Sequence, residues 1–186
     1  GIKTYIFNDV KFSLHLGDYL MLNHRDHRKI AVIDSTIGYS GGINIADEYI
    51  NVIERFGVWK DTGFRIEGEG VWSLTATFFN TWEYVSRTTD NYDGYKPRYN
   101  KKSDTVVQPY FDTPLDKVNL CENNYQAVIN NAKDYVYIAT PYLVIDNEML
   151  TALTVAAQSG VDVRIVVPGI PDKWYVYYVT QSYYRH

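Results

Sequence analysis

Residues 24–44 read HRDHRKIAVIDSTIGYSGGIN, and this stretch decides how the chain is organised around its candidate site. Two short apolar runs, 30–33 and 37–39, flank the turn-forming pair at 34–35. Apolar runs on either side of such a pair predict a β-hairpin, or two adjacent strands, which here runs into a glycine turn at 41–42.

The hairpin carries residue types that suit a phosphate group. His27 and Lys29 are two residues apart, and alternate side chains of a strand share a face, so we expect the imidazole and the ammonium to point the same way. Gly41 and Gly42 let backbone amides approach a bound group closely, and Asn44 adds a side-chain amide. One face therefore offers a nucleophile or base, a fixed cation and neutral hydrogen-bond donors, which together predict a phosphate site.

Asp34 is expected to differ from these residues. It follows Lys29 by five positions, so strict alternation places it on the opposite face of the strand. Aspartate is also a common turn residue. We therefore expect Asp34 mainly to stabilise the hairpin turn or to pair internally.

The spacing of these residues matches a known signature, His-x-Lys-x(4)-Asp-x(6)-Gly-Gly-x-Asn, and the chain thereby resembles the phospholipase D superfamily. The matching residues are His27, Lys29, Asp34, Gly41, Gly42 and Asn44. Other segments are similar to bacterial cardiolipin synthases, namely YIFN at 5–8, NHRDHRK at 23–29, GGINI at 41–45, RIEG at 65–68, TPY at 140–142 and GVDVR at 160–164. The resemblance covers nearly the whole chain.

This resemblance implies a reaction and a role for each residue. His27 would attack a lipid phosphorus to give a phosphohistidine, while a second histidine protonates the leaving alcohol and then activates the incoming one. Lys29 would offset the charge on the phosphate oxygens, and Asn44 would donate a hydrogen bond to one of them. An acidic residue on the strand after the glycine turn binds the catalytic histidine in the resembled family, which makes Asp61 the candidate here.

The expected function is therefore phosphatidyl transfer of the cardiolipin synthase type, in which two phosphatidylglycerol molecules give cardiolipin and glycerol. The alternatives are a phospholipase D with water as acceptor, a nuclease-type phosphodiesterase of the same superfamily, and a non-catalytic lipid- or phosphate-binding module. Because the chain holds a single motif, we expect it to be inactive alone unless two copies form a dimer.

Composition narrows the class of partner. The 186 residues are 46% hydrophobic and carry 18 Lys and Arg against 22 Asp and Glu, a net charge of −4 that argues against nucleic acid as partner. The expected partners are a phospholipid, phosphatidylglycerol, and the membrane surface reached through the parent protein. No run of about 18 apolar residues is present, so location at the cell membrane would depend on segments absent from this chain.

No cofactor is predicted. His24 and His27 are three apart, which places them on opposite faces of a strand, and no histidine follows before His186 to complete a metal shell. Cys121 is the only cysteine, so an intrachain disulfide is excluded.

The expected fold class is α/β, a phospholipase D-like mixed sheet flanked by helices. Residues 1–104 would form a first lobe that lacks its N-terminal strand and helix, and 105–186 a partial second lobe that ends before its own motif. Helices are predicted at 45–55, 70–87, 119–133, 147–159 and from 172 onward. Strands are predicted at 3–7, 59–67, 135–140 and 161–167, beside the hairpin and a strand start at 106–107. The alternation after 105 predicts a largely parallel sheet.

Overall fold

The computed structural model describes residues 1–8, 26–99, 103–113 and 117–186. Within them the chain forms two compact units, Gly1–Ile50 with Lys60–Tyr110, and Asn51–Trp59 with Phe111–His186. Each unit combines a small β-sheet with α-helices, so the predicted α/β class is confirmed. The lobe boundaries at 1–104 and 105–186 stay a prediction.

The first unit contains a three-stranded antiparallel sheet. Its strands are β1 (Ile30–Ile33), β2 (Ile37–Gly41) and β3 (Gly63–Glu67), and they lie in chain order. Asp34 and Ser35 both have φ +51°, and the Thr36 amide donates to the Ile33 carbonyl over 3.1 Å. Two left-handed residues closed by this hydrogen bond form a turn of type I′, whose twist matches that of a hairpin, and with Thr36 they make the three residues between the paired Ile33 and Ile37. The predicted hairpin is confirmed.

Helix α1 (Val71–Ser86) packs on one face of this sheet. A β-carbon added at Gly38 would lie 2.7 Å from Leu74 Cδ1, so the helix approaches β2 where a side chain is missing. Val71, Leu74 and Thr75 are buried. Phe78, one turn after Leu74, is 45% exposed and stacks on Trp82.

The second unit alternates helices and strands. Its elements are α2 (Leu120–Asn131), β4 (Tyr135–Ala139), α3 (Asn147–Gln158), β5 (Asp162–Val166) and α4 (Trp174–Ser182). β4 and β5 pair in parallel, as predicted. The core consists of Ile129, Ala152, Leu153, Ala156 and Val161, which lie between the helices and one face of this pair. Gly160, with φ +93°, turns the chain from α3 toward β5.

Several predicted elements are shorter or absent. Residues 3–7 and 106–107 form no strand, because no described neighbour pairs with them. The helix expected at 45–55 is reduced to the 3₁₀ turn Asp47–Ile50, and short 3₁₀ turns also occur at Tyr92–Tyr95 and Tyr183–Arg185. The strand expected at 59–67 begins only at Gly63. Of the helices that the structure describes, none combines the length and apolar character needed to cross a bilayer.

Candidate active site

His27 and Lys29 lie in the segment that leads into β1 rather than in the strand itself, which begins at Ile30. The His27 side chain is exposed and that of Lys29 is partly buried. The Lys29 ammonium nitrogen donates to the His27 carbonyl oxygen over 2.7 Å. The cation is therefore held at the peptide unit that carries the candidate nucleophile. An ammonium has three donors, so two remain for other acceptors.

The sheet register brings further motif residues to the same end. β1 pairs with β2 from Ile30 opposite Ser40, so Lys29 and Gly41 are the next residues on each side. Gly41 in turn pairs with Gly63 at the start of β3. A single end of the sheet therefore carries Lys29, Gly41, Gly42 and Asp61.

The two glycines are required by the strand beside them. A β-carbon at Gly41 would lie 2.7 Å from the Thr62 carbonyl oxygen and 2.8 Å from the Gly63 α-carbon. At Gly42 it would lie 2.5 Å from Asp61 Oδ1. The Gly42 amide donates to the Thr62 carbonyl over 3.3 Å, so in this structure that amide is engaged with the protein. Contact of Gly41 and Gly42 with a phosphate stays a prediction.

Asp61 sits two residues before β3 and against Gly42. Its Oδ1 accepts a hydrogen bond from the Thr62 amide over 2.7 Å, which fixes the carboxylate close to the backbone. Asp61 therefore lies at the end of the sheet that also carries His27 and Lys29. The expected hydrogen bond between Asp61 and the His27 imidazole stays a prediction.

Asp34 lies at the other end of β1. The four residues of β1 lie between it and Lys29, so five steps of the chain separate the two, a rise of roughly 16 Å in an extended strand. Its φ of +51° identifies it as the first residue of the type I′ turn, a conformation that aspartate tolerates better than most residues. Its position agrees with a structural role, and the structure does not bring it to His27. Asn44 follows the glycine pair, and its carbonyl accepts from the Ala46 amide over 3.1 Å.

The residues on either side of His27 form an ion pair that the motif does not contain. Arg28 donates from Nε to Asp26 Oδ1 over 2.8 Å and from a terminal nitrogen to Oδ2 over 2.7 Å. The terminal nitrogen also donates to Thr81 Oγ1 of α1, again over 2.8 Å. These bonds hold the pKa of Asp26 below its usual range. The Asp26-x-Arg28 spacing could have signalled the ion pair, but nothing in the sequence singles out Thr81.

In the described part of the chain, no group of three or more His, Cys, Asp and Glu residues is placed to bind a metal ion. Asp26 lies between His24 and His27, the two histidines considered as metal ligands, and it forms an ion pair with Arg28. His24 falls outside the described residues.

Known proteins match this chain over most of its length. A family model described as "Cardiolipin synthase, PLD-like domain" matches residues 125–186. An uncharacterized protein of Streptococcus mutans is 46% identical over 189 residues, which cover 99% of this chain and 39% of that protein. A cardiolipin synthase of Listeria welshimeri is 40% identical over 166 residues, 87% of this chain and 34% of that protein.

The major cardiolipin synthase ClsA of Bacillus subtilis is 37% identical over 166 residues, which cover 88% of this chain and 34% of that enzyme. No solved structure matches the chain.

The α/β fold and the hairpin that follows His27 and Lys29 are consistent with a phospholipase D-like protein. The matches narrow this class, and the chain belongs to the cardiolipin synthase family of phospholipase D-like proteins. It spans between 34% and 39% of the length of these relatives.

Proposed function

We propose that the protein is a phosphatidyltransferase of the cardiolipin synthase type, which converts two phosphatidylglycerol molecules into cardiolipin and glycerol. One observation carries this proposal. The Lys29 ammonium donates to the His27 carbonyl, and Gly41, Gly42 and Asp61 lie at the same end of the sheet. Relatives that match 87–88% of this chain are called cardiolipin synthases.

The proposed reaction has two displacements at one phosphorus. The His27 imidazole forms a P–N bond to the first phosphatidylglycerol as the P–O bond to its terminal glycerol breaks, and a second histidine gives the leaving oxygen its proton. The hydroxyl of a second phosphatidylglycerol then forms a P–O bond, the P–N bond breaks, and the second histidine takes the proton. Dividing one displacement into two lowers each barrier.

The described residues would support both steps. The two free donors of the Lys29 ammonium would bind phosphate oxygens as their charge grows, while the third stays on the His27 carbonyl. Asp61 would hold one imidazole tautomer and stabilise the imidazolium. Because one motif supplies one histidine, we propose that the second comes from the rest of the protein or from a second copy of the chain.

The test is turnover of phosphatidylglycerol in vesicles by the full-length protein. We expect cardiolipin and glycerol from the wild type and about a 10³-fold or greater loss with His27→Ala, as when a nucleophile is removed. Lys29→Met should lower kcat by about 10²-fold, as with other lost electrostatic donors. His186→Ala is the matched control, since His186 is an exposed histidine outside the motif. Cardiolipin formation unchanged by His27→Ala would refute the proposal.

The products separate the alternatives. Phosphatidic acid instead of cardiolipin would identify a phospholipase D, since water would then be the acceptor. Cleavage of DNA in place of lipid would identify a phosphodiesterase of the nuclease type, against which the net charge of −4 argues. Inorganic phosphate binding without any turnover would identify a binding module.

We also propose that the protein works at the cell membrane, because its proposed substrate resides there. Co-sedimentation of the full-length protein with vesicles that contain phosphatidylglycerol tests this point. Loss of sedimentation at high salt would indicate binding through surface charge alone.

A further inference from the structure

The segment that carries His27 is irregular, and its geometry depends on bonds from its neighbours. Arg28 closes a ring with Asp26, because its backbone N–H donates to Oδ1 over 3.0 Å while its guanidinium holds both carboxylate oxygens. The His27 peptide lies inside this ring. Residues 26–28 thus have a fixed backbone without being part of a strand.

Arg28 also connects this ring to α1. Its terminal nitrogen donates to Thr81 Oγ1, and the Thr81 hydroxyl donates to the Thr77 carbonyl over 3.2 Å. The second bond directs the hydroxyl proton into the helix, which leaves an oxygen lone pair for the guanidinium. The helix packs on β1 and β2, so this bond ties the segment to the same sheet that it leads into.

We propose that Arg28 is a positioning residue, which sets the relation of the His27 imidazole to the Lys29 ammonium by anchoring the 26–28 backbone to α1. This inference rests on the proposed function. The His27 carbonyl is the acceptor for the Lys29 ammonium, so any rotation of that peptide moves nucleophile and cation together. Misplacement of reacting groups by about 1 Å is enough to cost roughly 10²-fold in rate.

Burial supports a role beyond that of a surface ion pair. The Arg28 and Asp26 side chains are 31% and 18% exposed, whereas those of Arg164 and Asp162, a pair of the same spacing in the second unit, are 68% and 44% exposed. Partly buried, two-pronged pairs hold their geometry more firmly than exposed ones. The pair at 162 and 164 therefore provides a matched control.

The test compares steady-state kinetics of Arg28→Lys, Thr81→Val, Thr81→Ser and Arg164→Lys in the full-length protein. Arg28→Lys keeps the positive charge but loses the planar guanidinium that binds both carboxylate oxygens of Asp26. We expect kcat to fall by about 10- to 100-fold with KM nearly unchanged. Thr81→Val should lower kcat several-fold, and Thr81→Ser should restore it because the hydroxyl returns. Arg164→Lys should leave kcat at the wild-type value.

A second measurement does not need turnover. Inorganic phosphate should protect His27 from diethyl pyrocarbonate in the wild type, in Thr81→Ser and in Arg164→Lys, but weakly in Arg28→Lys and Thr81→Val. Equal protection and equal kcat in all variants would overturn the positioning role. So would a rise in KM at constant kcat, which would make Arg28 a substrate contact. Absence of both turnover and protection in the wild type would instead reject the proposed function.

Discussion

The Asp61 carboxylate fills the space beside the α-carbon of Gly42, where a β-carbon would lie 2.5 Å from Oδ1. Real β-carbon contacts are longer than this, so a side chain at position 42 and Asp61 in its present place exclude each other. The absence of a side chain at Gly42 is thus explained by the neighbouring Asp61 carboxylate as well as by any bound ligand. Because Asp61 is an exposed side chain, a β-carbon at position 42 would displace a surface carboxylate rather than backbone or core.

Gly42→Ala should therefore impair catalysis more than stability. We expect the melting temperature to change by only about 1–3 °C, while kcat falls by about 10-fold or more, because Asp61 would leave the position in which we propose that it binds the imidazole. The two effects are separated by measuring thermal unfolding and lipid turnover on the same preparation. In an Asp61→Ala background the additional effect of Gly42→Ala on kcat should vanish, as for coupled sites. Additive losses would show that position 42 acts independently of Asp61.

Gly41→Ala should instead lower the stability of the fold. Its β-carbon would meet backbone atoms of Thr62 and Gly63 at 2.7 and 2.8 Å, and backbone in a sheet cannot yield without breaking the pairing. We expect a loss of about 1–3 kcal/mol in the free energy of unfolding, measured by urea denaturation. Gly94→Ala is the control, since nothing lies within 4 Å of a β-carbon there. Equal stability of the two variants would contradict the close approach of β2 and β3.

Asp34 should tolerate substitutions that suit its backbone. Both central residues of the type I′ turn have φ +51°, so Asp34→Gly should keep or slightly raise the melting temperature. Asp34→Val should cost about 1–2 kcal/mol, because a β-branched side chain clashes in the left-handed region. Turnover per folded molecule should be retained in Asp34→Gly. If that variant folds normally and is inactive, Asp34 has a chemical role that its position in the turn does not explain.

We expect Glu122 to make the stability of the second unit depend on pH. A hydrogen bond with the Asp146 carboxyl, together with desolvation and repulsion, raises the pKa of Glu122 above its ordinary value. A folded-state pKa above the unfolded one means that the contribution is complete below about pH 4.3 and is lost as the pH rises through the raised value. Glu122→Gln, which mimics the protonated acid, should gain in melting temperature relative to the wild type as the pH rises from about 4 to about 7.

The control for this prediction is Glu54→Gln, which removes an exposed charge from the same unit. The difference between Glu122→Gln and the wild type should grow with pH, and that for Glu54→Gln should stay nearly constant. A difference that shrinks with rising pH would mean that the charged form of Glu122 is favoured in the folded state.

The Tyr92 phenol should ionise at a higher pH than an ordinary tyrosine. Desolvation and a hydrogen bond of 2.6 Å from its hydroxyl to Glu83 raise its pKa to about 12. The difference between ultraviolet titrations of the wild type and Tyr92→Phe should show one phenol ionising near that value. Glu83→Gln should bring the transition back toward the ordinary value of about 10, because the neighbouring negative charge is removed. By linkage, the contribution of Tyr92 to stability is complete below about pH 10 and is lost as the pH rises through about 12.

The local part of the site could be predicted from sequence, and the long-range part could not. The hairpin follows from two apolar runs around Asp34 and Ser35, since its turn and register involve residues close in the chain. The bond between Arg28 and Thr81 joins residues 53 positions apart, and no pattern in the sequence indicates it. The expected strand at 3–7 failed for a related reason, because an extended apolar segment forms a strand only if a distant partner pairs with it.

Side-chain contacts at the glycine pair were equally hidden. Sequence alone relates Gly41 and Gly42 to a ligand, whereas the structure shows both against the segment 61–63. That relation depends on the pairing of β2 with β3, which are separated by a loop of more than twenty residues. The motif therefore predicts glycine at positions 41 and 42, but the contact with segment 61–63 that also requires glycine there is visible only in the structure.

The short turn between Ile33 and Ile37 also restricts which changes of length this protein tolerates. Side chains alternate between the two faces of a strand, so an insertion or deletion in the turn that shifts the pairing by one residue would exchange the faces of one strand relative to the other. The face of that strand that packs on α1 would then be presented to solvent. Substitutions that suit the left-handed backbone should therefore be tolerated in the turn, whereas an insertion that shifts the register is expected to abolish the site while leaving every motif residue in the sequence.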